Sequence, residues 1–259
     1  MVRGINISAT GLVNITDYHD IIANNLANVN TPGFKQTLAS FKSLDDIEVN
    51  KIDAAKGFDN KQSLGTISAG GVIDSTVFDF SQGSIKPTGN PFDLAISGEG
   101  FFVVNTPNGE AYTRNGSFIT GEDGLVTTLN GHPLVGESGP ISININEADV
   151  KSIKIHPNGD VEINKEIVDK VKIVDFEDRK RLKAMGDSLF KPVDDSQKPI
   201  DSENYQINQG ALESSNANVV ECMIKSIEAM RAYENLTKNI ETVNRGLSKT
   251  INEVGRIKR

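Results

Sequence analysis

Few residues of this chain have side chains suited to chemistry, and they are scattered. Three histidines, His19, His132 and His156, and one cysteine, Cys222, are the obvious nucleophiles, acid–base groups or metal ligands. None has a second histidine or a cysteine at ligand spacing, so no zinc site is read from them. Cys222 stands between Glu221 and Met223 in a helical stretch and reads as a small residue near a packed face. Ser97-Gly98-Glu99-Gly100-Phe101 holds a Gly-x-Gly but no third glycine, and apolar strand residues follow instead of a helix. It reads as a turn between strands, not a dinucleotide loop. The acids of Leu44-Asp45-Asp46-Ile47-Glu48 lack the ligand alternation and central glycine of a calcium loop and read as a solvated connector. Arg179, Lys180, Arg181 and Lys183 form a basic cluster without interleaved aromatics, which suits local surface pairing better than nucleic acid. The expectation is no catalytic residue, no metal, no cofactor and no small-molecule substrate.

What remains is the scaffold. The chain has 259 residues, room for one large domain or two small ones. With 27 basic and 35 acidic residues the net charge is −8, so there is no global basic field to hold a nucleic-acid backbone. A single cysteine excludes an internal disulfide. No run of about 18 apolar residues is present to span a bilayer. The start, Met1-Val2-Arg3-Gly4-Ile5-Asn6, lacks an apolar signal region, so any export is expected without a cleaved signal peptide.

Both ends carry helical periodicity. From about Leu212 to Ile257, apolar residues fall at Val220, Met223, Ile227, Met230, Tyr233, Leu236, Ile240, Val243, Leu247, Ile251 and Val254, spaced by 3 or 4. That is the stripe of an amphipathic helix close to a heptad seam. Such a helix would be about 65–70 Å long at roughly 1.5 Å per residue, too long to bury its stripe against one small domain. Near the N-terminus Leu12, Ile15, His19, Ile22, Leu26 and Val29 repeat the spacing, with His19 as the polar member. This helix is expected to stop near Asn28 to Asn30, because Thr31-Pro32-Gly33 follows and Pro32 disfavours helix at Thr31. Asn24, Asn25 and Asn28 on its last turns could satisfy carbonyls there or bridge to neighbours. The two stripes could close a helical hairpin within the chain, or also pack against neighbouring copies. Balanced charge on the polar faces favours protein packing over a membrane-lying helix, so contact with a membrane is peripheral at most.

Between the ends the period changes. Short strand-like runs, Phe101–Val104, Leu125–Thr128, Ile141–Ile145 and Val171–Val174, alternate with turn signals such as Pro107-Asn108-Gly109, Asn115-Gly116, Asp123-Gly124, Asn130-Gly131 and Pro157-Asn158-Gly159. This predicts an antiparallel domain of many short strands.

Three segments resemble the bacterial flagellar basal-body rod and hook proteins. Ile22-Ala23-Asn24-Asn25-Leu26-Ala27-Asn28-Val29-Asn30-Thr31-Pro32-Gly33-Phe34-Lys35 is similar to the family's N-terminal signature. Thr88–Phe102, followed by Tyr112-Thr113-Arg114-Asn115-Gly116-Ser117-Phe118, is similar to its β-domain. Gln209-Gly210-Ala211-Leu212-Glu213-Ser214-Ser215-Asn216, with Met230-Arg231-Ala232-Tyr233-Glu234 further on, resembles the entry to its C-terminal helix. The resemblance implies a structural, non-enzymatic subunit of a hollow, torque-transmitting axial tube. Terminal helices would pack as an inner coiled-coil layer, with the β-domain outside. The implied partners are copies of itself, other axial rod proteins and the type III flagellar export apparatus, and the implied place is the periplasmic rod. The length suits a rod protein. Neither Phe41-Lys42-Ser43-Leu44-Asp45-Asp46 nor Val174-Asp175-Phe176-Glu177-Asp178-Arg179 matches the distal-rod pattern, which puts the proximal-rod type first and the distal-rod type close behind.

The expectation is thus an α+β fold: long N- and C-terminal helices packed as a coiled coil, with a central, mainly antiparallel β-domain of short strands. Residues 1–35 and 209–259 would form the helical part, 36–64 and 193–208 extended connectors, and 65–192 the β-rich domain. The expected assembly interface is Leu12, Ile15, Ile22, Asn25, Leu26 and Val29, together with Val220, Met223, Ile227, Met230, Tyr233, Leu236, Ile240, Val243, Leu247 and Ile251. Pro32 and Gly33 would set the turn where the chain leaves the helix. The alternative is a secreted binding module merely trimerised by its helices. A cell-wall hydrolase, a third class, would need paired carboxylates converging in a cleft.

Overall fold

The computed structural model describes residues 2–52, 61–68, 70–121, 123–143, 153–194, 197–202 and 204–256. The chain divides into two compact units. One comprises Met1–Leu26, Thr37–Val77 and Val219–Arg259; the other comprises Ala27–Gln36 and Phe78–Asn218.

The first unit holds both long helices, α1 (Val2–Ala27) and α2 (Val219–Arg256), and four strands. These are β1 (Thr37–Ser43), β2 (Asp46–Ile52), β3 (Lys61–Ser68) and β4 (Gly71–Phe78). The helices run antiparallel. His19 Nε2 lies 3.2 Å from Ser226 Oγ, while Gly11 faces Leu236. α1 meets strands on another side. Asn14 Nδ2 donates to Gly71 O at 2.6 Å, Ile73 N donates to Asn14 Oδ1 at 3.1 Å, and the Tyr18 ring stands edge-on to Phe41 at 5.3 Å.

The strands pair as two ribbons, β1 with β4 and β2 antiparallel to β3. Much of the stretch read as connector, 36–64, is therefore strand, although 53–60 lie outside the described residues. The signal was weak because a two-stranded ribbon has no deeply buried face. β1 is largely exposed and shows no apolar alternation. α2 also starts later than expected, at Val219. Ala211-Leu212-Glu213, good helix formers, lie in a strand instead, because pairing with Ile85–Pro87 overrides local propensity.

The second unit is built from short strands. In chain order they are β5 (Ile85–Pro87), β6 (Leu94–Gly98), β7 (Phe101–Thr106), β8 (Gly109–Thr113), β9 (Phe118–Thr120), β10 (Val126–Thr128), β11 (Ile153–Ile155) and β12 (Asp160–Ile163). β13 (Glu166–Lys170), β14 (Ile173–Asp175), β15 (Leu182–Gly186), β16 (Leu189–Pro192), β17 (Ile200–Asp201), β18 (Tyr205–Gln209) and β19 (Ala211–Glu213) follow. The largest sheet has six strands in the order β15-β16-β8-β7-β14-β17, all antiparallel. β11-β12-β13 form a three-stranded sheet, and β6 pairs with β18 and β5 with β19. The segment read as a second connector, 193–208, thus supplies β17 and most of β18; its residues 195, 196 and 203 lie outside the described set.

β7 explains the core. Successive strand residues face opposite ways. Phe102 and Val104 enter one apolar cluster with Leu94, Ile96, Phe118 and Leu134. Phe101 and Val103 enter another with Tyr112, Phe176 and Phe190. A strand covered on both faces reads as an unbroken apolar run, as Phe101–Val104 does. In the second cluster Phe80 meets Phe101 at 5.4 Å and Phe190 at 5.2 Å, both edge to face. Of the run Ile141–Ile145, Ile141 and Ile143 are buried, and Asn144 and Ile145 lie outside the described residues. The fold is α+β with terminal helices and a mainly antiparallel β-rich centre.

Candidate assembly surface and chain junction

The apolar residues of α2 do not all face one way. Cys222 and Ala229 are buried. Val220, Met223, Ile227, Met230 and Tyr233 are 47–65% exposed, and Ile251 is also exposed. Leu236, Ile240, Val243 and Leu247 are half-buried, and Val254's side chain lies outside the described set. The face of α2 nearest α1 thus begins with small residues, Cys222, Ser226 and Ala229, which let two helices approach closely. Reading large apolar residues alone picks out the other face. On α1, Ile22 is buried, and Leu12, Ile15 and Leu26 are half-buried, as is Val29 in the turn after the helix. Glu221–Lys225 and Glu241–Arg245 form ion pairs at 2.7 and 3.7 Å, one turn apart along α2.

Asn25 works inside the chain. It is buried, its Nδ2 donates to Thr37 O at 2.8 Å, and its Oδ1 accepts from Thr37 N at 2.8 Å. This two-way bond satisfies a backbone unit at the start of β1, as an amide side chain can. α1 ends at Ala27, and the chain then turns. Thr31 N donates to Asn28 O at 3.1 Å, and Phe34 N donates to Thr31 O at 3.3 Å. Gly33 adopts φ +66° and is pressed against the backbone of Arg114 and Asn115. Pro32 and Gly33 thus stand at the turn after the helix.

Just beyond that turn lies a group of charges that the periodicity gave no sign of. Lys35 and Glu213 are each 1% exposed, and Arg114 is 4% exposed. Lys35 Nζ donates to Glu213 Oε1 and to Ser81 O, both at 2.7 Å. Arg114 NH1 reaches Glu213 Oε2 at 3.4 Å, and its NH2 donates to Gly98 O at 2.8 Å. Gly83 N also donates to Glu213 Oε1, at 2.9 Å. The Arg114 guanidinium lies 5.5 Å from the centre of the Phe101 ring. Burial pulls Lys35 and Arg114 below their ordinary pKa values, against the opposing pull of Glu213. Two cations on one carboxylate would be costly to bury without these bonds, because removing water from a charge costs several kcal/mol per ion. The only sequence signal was indirect: Lys35, Arg114 and Glu213 each sit in one of the three family-like segments.

The residues screened for chemistry stay apart. His156 Nε2 lies 2.6 Å from Glu162 at a half-exposed position. Among the described residues no group of three or more His, Cys, Asp or Glu could hold a metal ion. Nor is any described helix long and apolar enough to cross a membrane. The bases pair locally. Arg179 binds Asp175 through two bonds of 2.8 and 2.6 Å and reaches Glu99 at 3.1 Å; Arg181 lies 3.8 Å from Asp178. Burial acts to raise the Asp175 carboxyl, but the Arg179 bonds, the Phe176 N–H and the nearby Arg179 and Arg114 charges together hold it below the usual range.

Comparison with known proteins matches the same three regions. Residues 19–35 match the model of the flagella basal body rod protein. Residues 95–163 match the flagellar hook protein FlgE/F/G D1 domain, and 208–253 match the flagellar basal body rod FlgEFG protein C-terminal region. The chain is 33% identical over 258 residues to the flagellar basal-body rod protein FlgG of Buchnera aphidicola, covering 96% of this chain and 98% of the relative. It is 32% identical to the flagellar basal-body rod protein FlgF of Caulobacter vibrioides, covering 92% of each. It is 30% identical to the FlgG of Bacillus subtilis, covering 97% of this chain and 99% of the relative. Relatives of both names match at nearly equal identity, so identity does not separate the two names.

Proposed function

Since this chain belongs to the flagellar basal-body rod protein family, a family of structural proteins and not enzymes, we propose that it polymerises through α1 and α2 into a hollow axial tube that transmits torque. As a rod subunit it is placed in the flagellar basal body and assembles with other axial components. The finer reading puts the tube in the periplasm and has the chain delivered by the flagellar export apparatus without a cleaved signal. Its partners are copies of itself and neighbouring rod proteins; it takes no nucleic acid and no small-molecule substrate.

One observation supports this reading above the rest: the exposed stripe Val220-Met223-Ile227-Met230 on α2. It follows 3, 4, 3 spacing over about 15 Å of helix, the seam geometry another helix can fill. Covering it removes apolar surface from water at roughly 25 cal/mol per Å². Repeated along a tube, many such modest contacts give stiffness without a single strong site. The half-buried residues Leu12, Ile15, Leu26, Leu236, Ile240, Val243 and Leu247 would close further within the assembly.

The test is Ile227→Asp in the full-length chain, followed by sedimentation and far-UV circular dichroism over a concentration series. The unaltered chain should form larger species as concentration rises, with gain of helical signal. The variant should remain a monomer whose β-rich unit melts at the unaltered temperature. Assembly of the variant at the same concentration would remove the stripe from the mechanism.

A further inference from the structure

The junction around Glu213 joins two stretches 178 residues apart in sequence: 33–36, arriving from α1, and 213–216, leaving for α2. Gly33 N donates to Glu213 O at 2.8 Å. Lys35 Nζ donates to the Glu213 carboxylate at 2.7 Å. Gln36 N donates to Asn216 Oδ1 at 2.8 Å, and Asn216 N donates to Phe34 O at 3.4 Å. Asn216 Nδ2 continues to Asp79 O at 2.7 Å. Two backbone–backbone bonds thus join the stretches directly, while Ser214 N also donates to Ser84 O and Asp79 N donates to Gln36 O, both at 2.9 Å. Glu213 itself ends β19, a three-residue strand paired with the three residues of β5.

Undocking β19 would take away the carboxylate that Lys35 and Arg114 share. Lys35 would keep Ser81 O, and Arg114 would keep Gly98 O, but two cations almost fully out of water would lose the carboxylate bonded to both and keep only the longer-range pull of Asp79 on Lys35 and of Asp175 on Arg114. A buried charge without a bonded counter-ion is not tolerated, so both side chains would have to move to water. Lys35 cannot do so without disturbing 33–36. In the other direction, if 33–36 loosens, Glu213 loses Lys35, and its carbonyl loses Gly33 N.

We infer that Glu213 is the keystone of a two-sided latch: docking of 211–216 and ordering of 33–36 are one coupled event, so neither terminal arm of the β-rich unit is set without the other. The inference rests on this junction alone and stands whether or not the helices polymerise. It gives the unit a closed form, with both arms seated, and an open form, with both released. Local opening of this kind proceeds in cooperative segments smaller than the whole domain.

Hydrogen exchange with mass spectrometry on the full-length chain tests it. Glu213→Gln keeps the shape and an acceptor oxygen but removes the one carboxylate bonded to both cations. Lys35→Met attacks the latch from the other side. In each variant, peptides covering 33–36 and 211–216 should lose protection together, by about tenfold or more, while β7 and β8 exchange as before. Loosening of 211–216 in Glu213→Gln with 33–36 unchanged, or the reverse in Lys35→Met, would overturn the coupling. If either variant also releases β7 and β8, the milder Asn216→Ala decides. Joint loosening of the two stretches then supports the latch, and loosening of one alone overturns it.

Discussion

Replacing Gly33 with alanine isolates what the turn after α1 requires. The residue is buried and holds φ +66°, a region where an L side chain costs roughly 1–2 kcal/mol. A Cβ there would lie 2.3 Å from Arg114 C and Asn115 N and 2.4 Å from Arg114 O. Those are backbone atoms, so no rotamer change relieves the contact, and the local shift should add about 1–3 kcal/mol. The total is about 2–5 kcal/mol. Gly131 supplies the control: its φ is +81°, but nothing stands within 4 Å of its would-be Cβ. Gly131→Ala should therefore lose only the backbone part, about 1–2 kcal/mol. Urea unfolding of each full-length variant, followed by circular dichroism, gives both numbers. If the two variants differ by less than about 0.5 kcal/mol, close packing of 33 against 114–115 is not what selects glycine, and φ alone accounts for it.

Three further outcomes follow from the same geometry. Asn25→Ala should cost about 1–3 kcal/mol and speed exchange of the Thr37 N–H, because it strips both bonds from that backbone unit; unchanged Thr37 protection would contradict this. Phe102→Ala, at a position 0% exposed and edge-on to Phe118 at 5.4 Å, should cost about 3–5 kcal/mol in the same urea titration. Acid should weaken the β-rich unit through Asp79 and Asp175. Burial tends to raise both, but hydrogen bonds from Gln36 and Ser81 to Asp79, and from Arg179 to Asp175, leave each carboxyl below its ordinary value. A lowered folded pKa gives stability that is present above the unfolded pKa of about 3.9 and lost as pH falls through the folded value. Urea midpoints should drop on going from about pH 5 to pH 2, and Asp175→Asn should flatten that slope.

The parts visible in the sequence were those set by local period. The 3-and-4 spacing announced both helices, and the doubly covered β7 announced itself as Phe101–Val104. The parts not visible depended on distance or on small residues. Ala211-Leu212-Glu213 looked helical because its strand partner, Ile85–Pro87, lies far away in the chain. β2 and β3 looked like connector because a narrow ribbon needs no buried stripe. The helix–helix face of α2 was read as packed at Cys222 but missed at Ala229, since small residues carry little weight in an apolar pattern. The burial of Lys35, Arg114 and Glu213 ran against composition, because charged side chains are almost never fully buried unless paired. Only their place in three family-like segments set them apart.

The closeness of Gly33 N and Glu213 O has an architectural consequence. Within the β-rich unit, the stretch arriving from α1 and the stretch leaving for α2 are tied at one point. The unit's other loops are free of that constraint. The hairpin tips at Asn164-Lys165 and Asp187-Ser188, each a tight turn with positive φ at both positions, can lengthen or be exchanged without moving the two chain ends apart. Variation in the size of these hairpins therefore need not disturb the junction, and one junction can carry hairpins of many sizes.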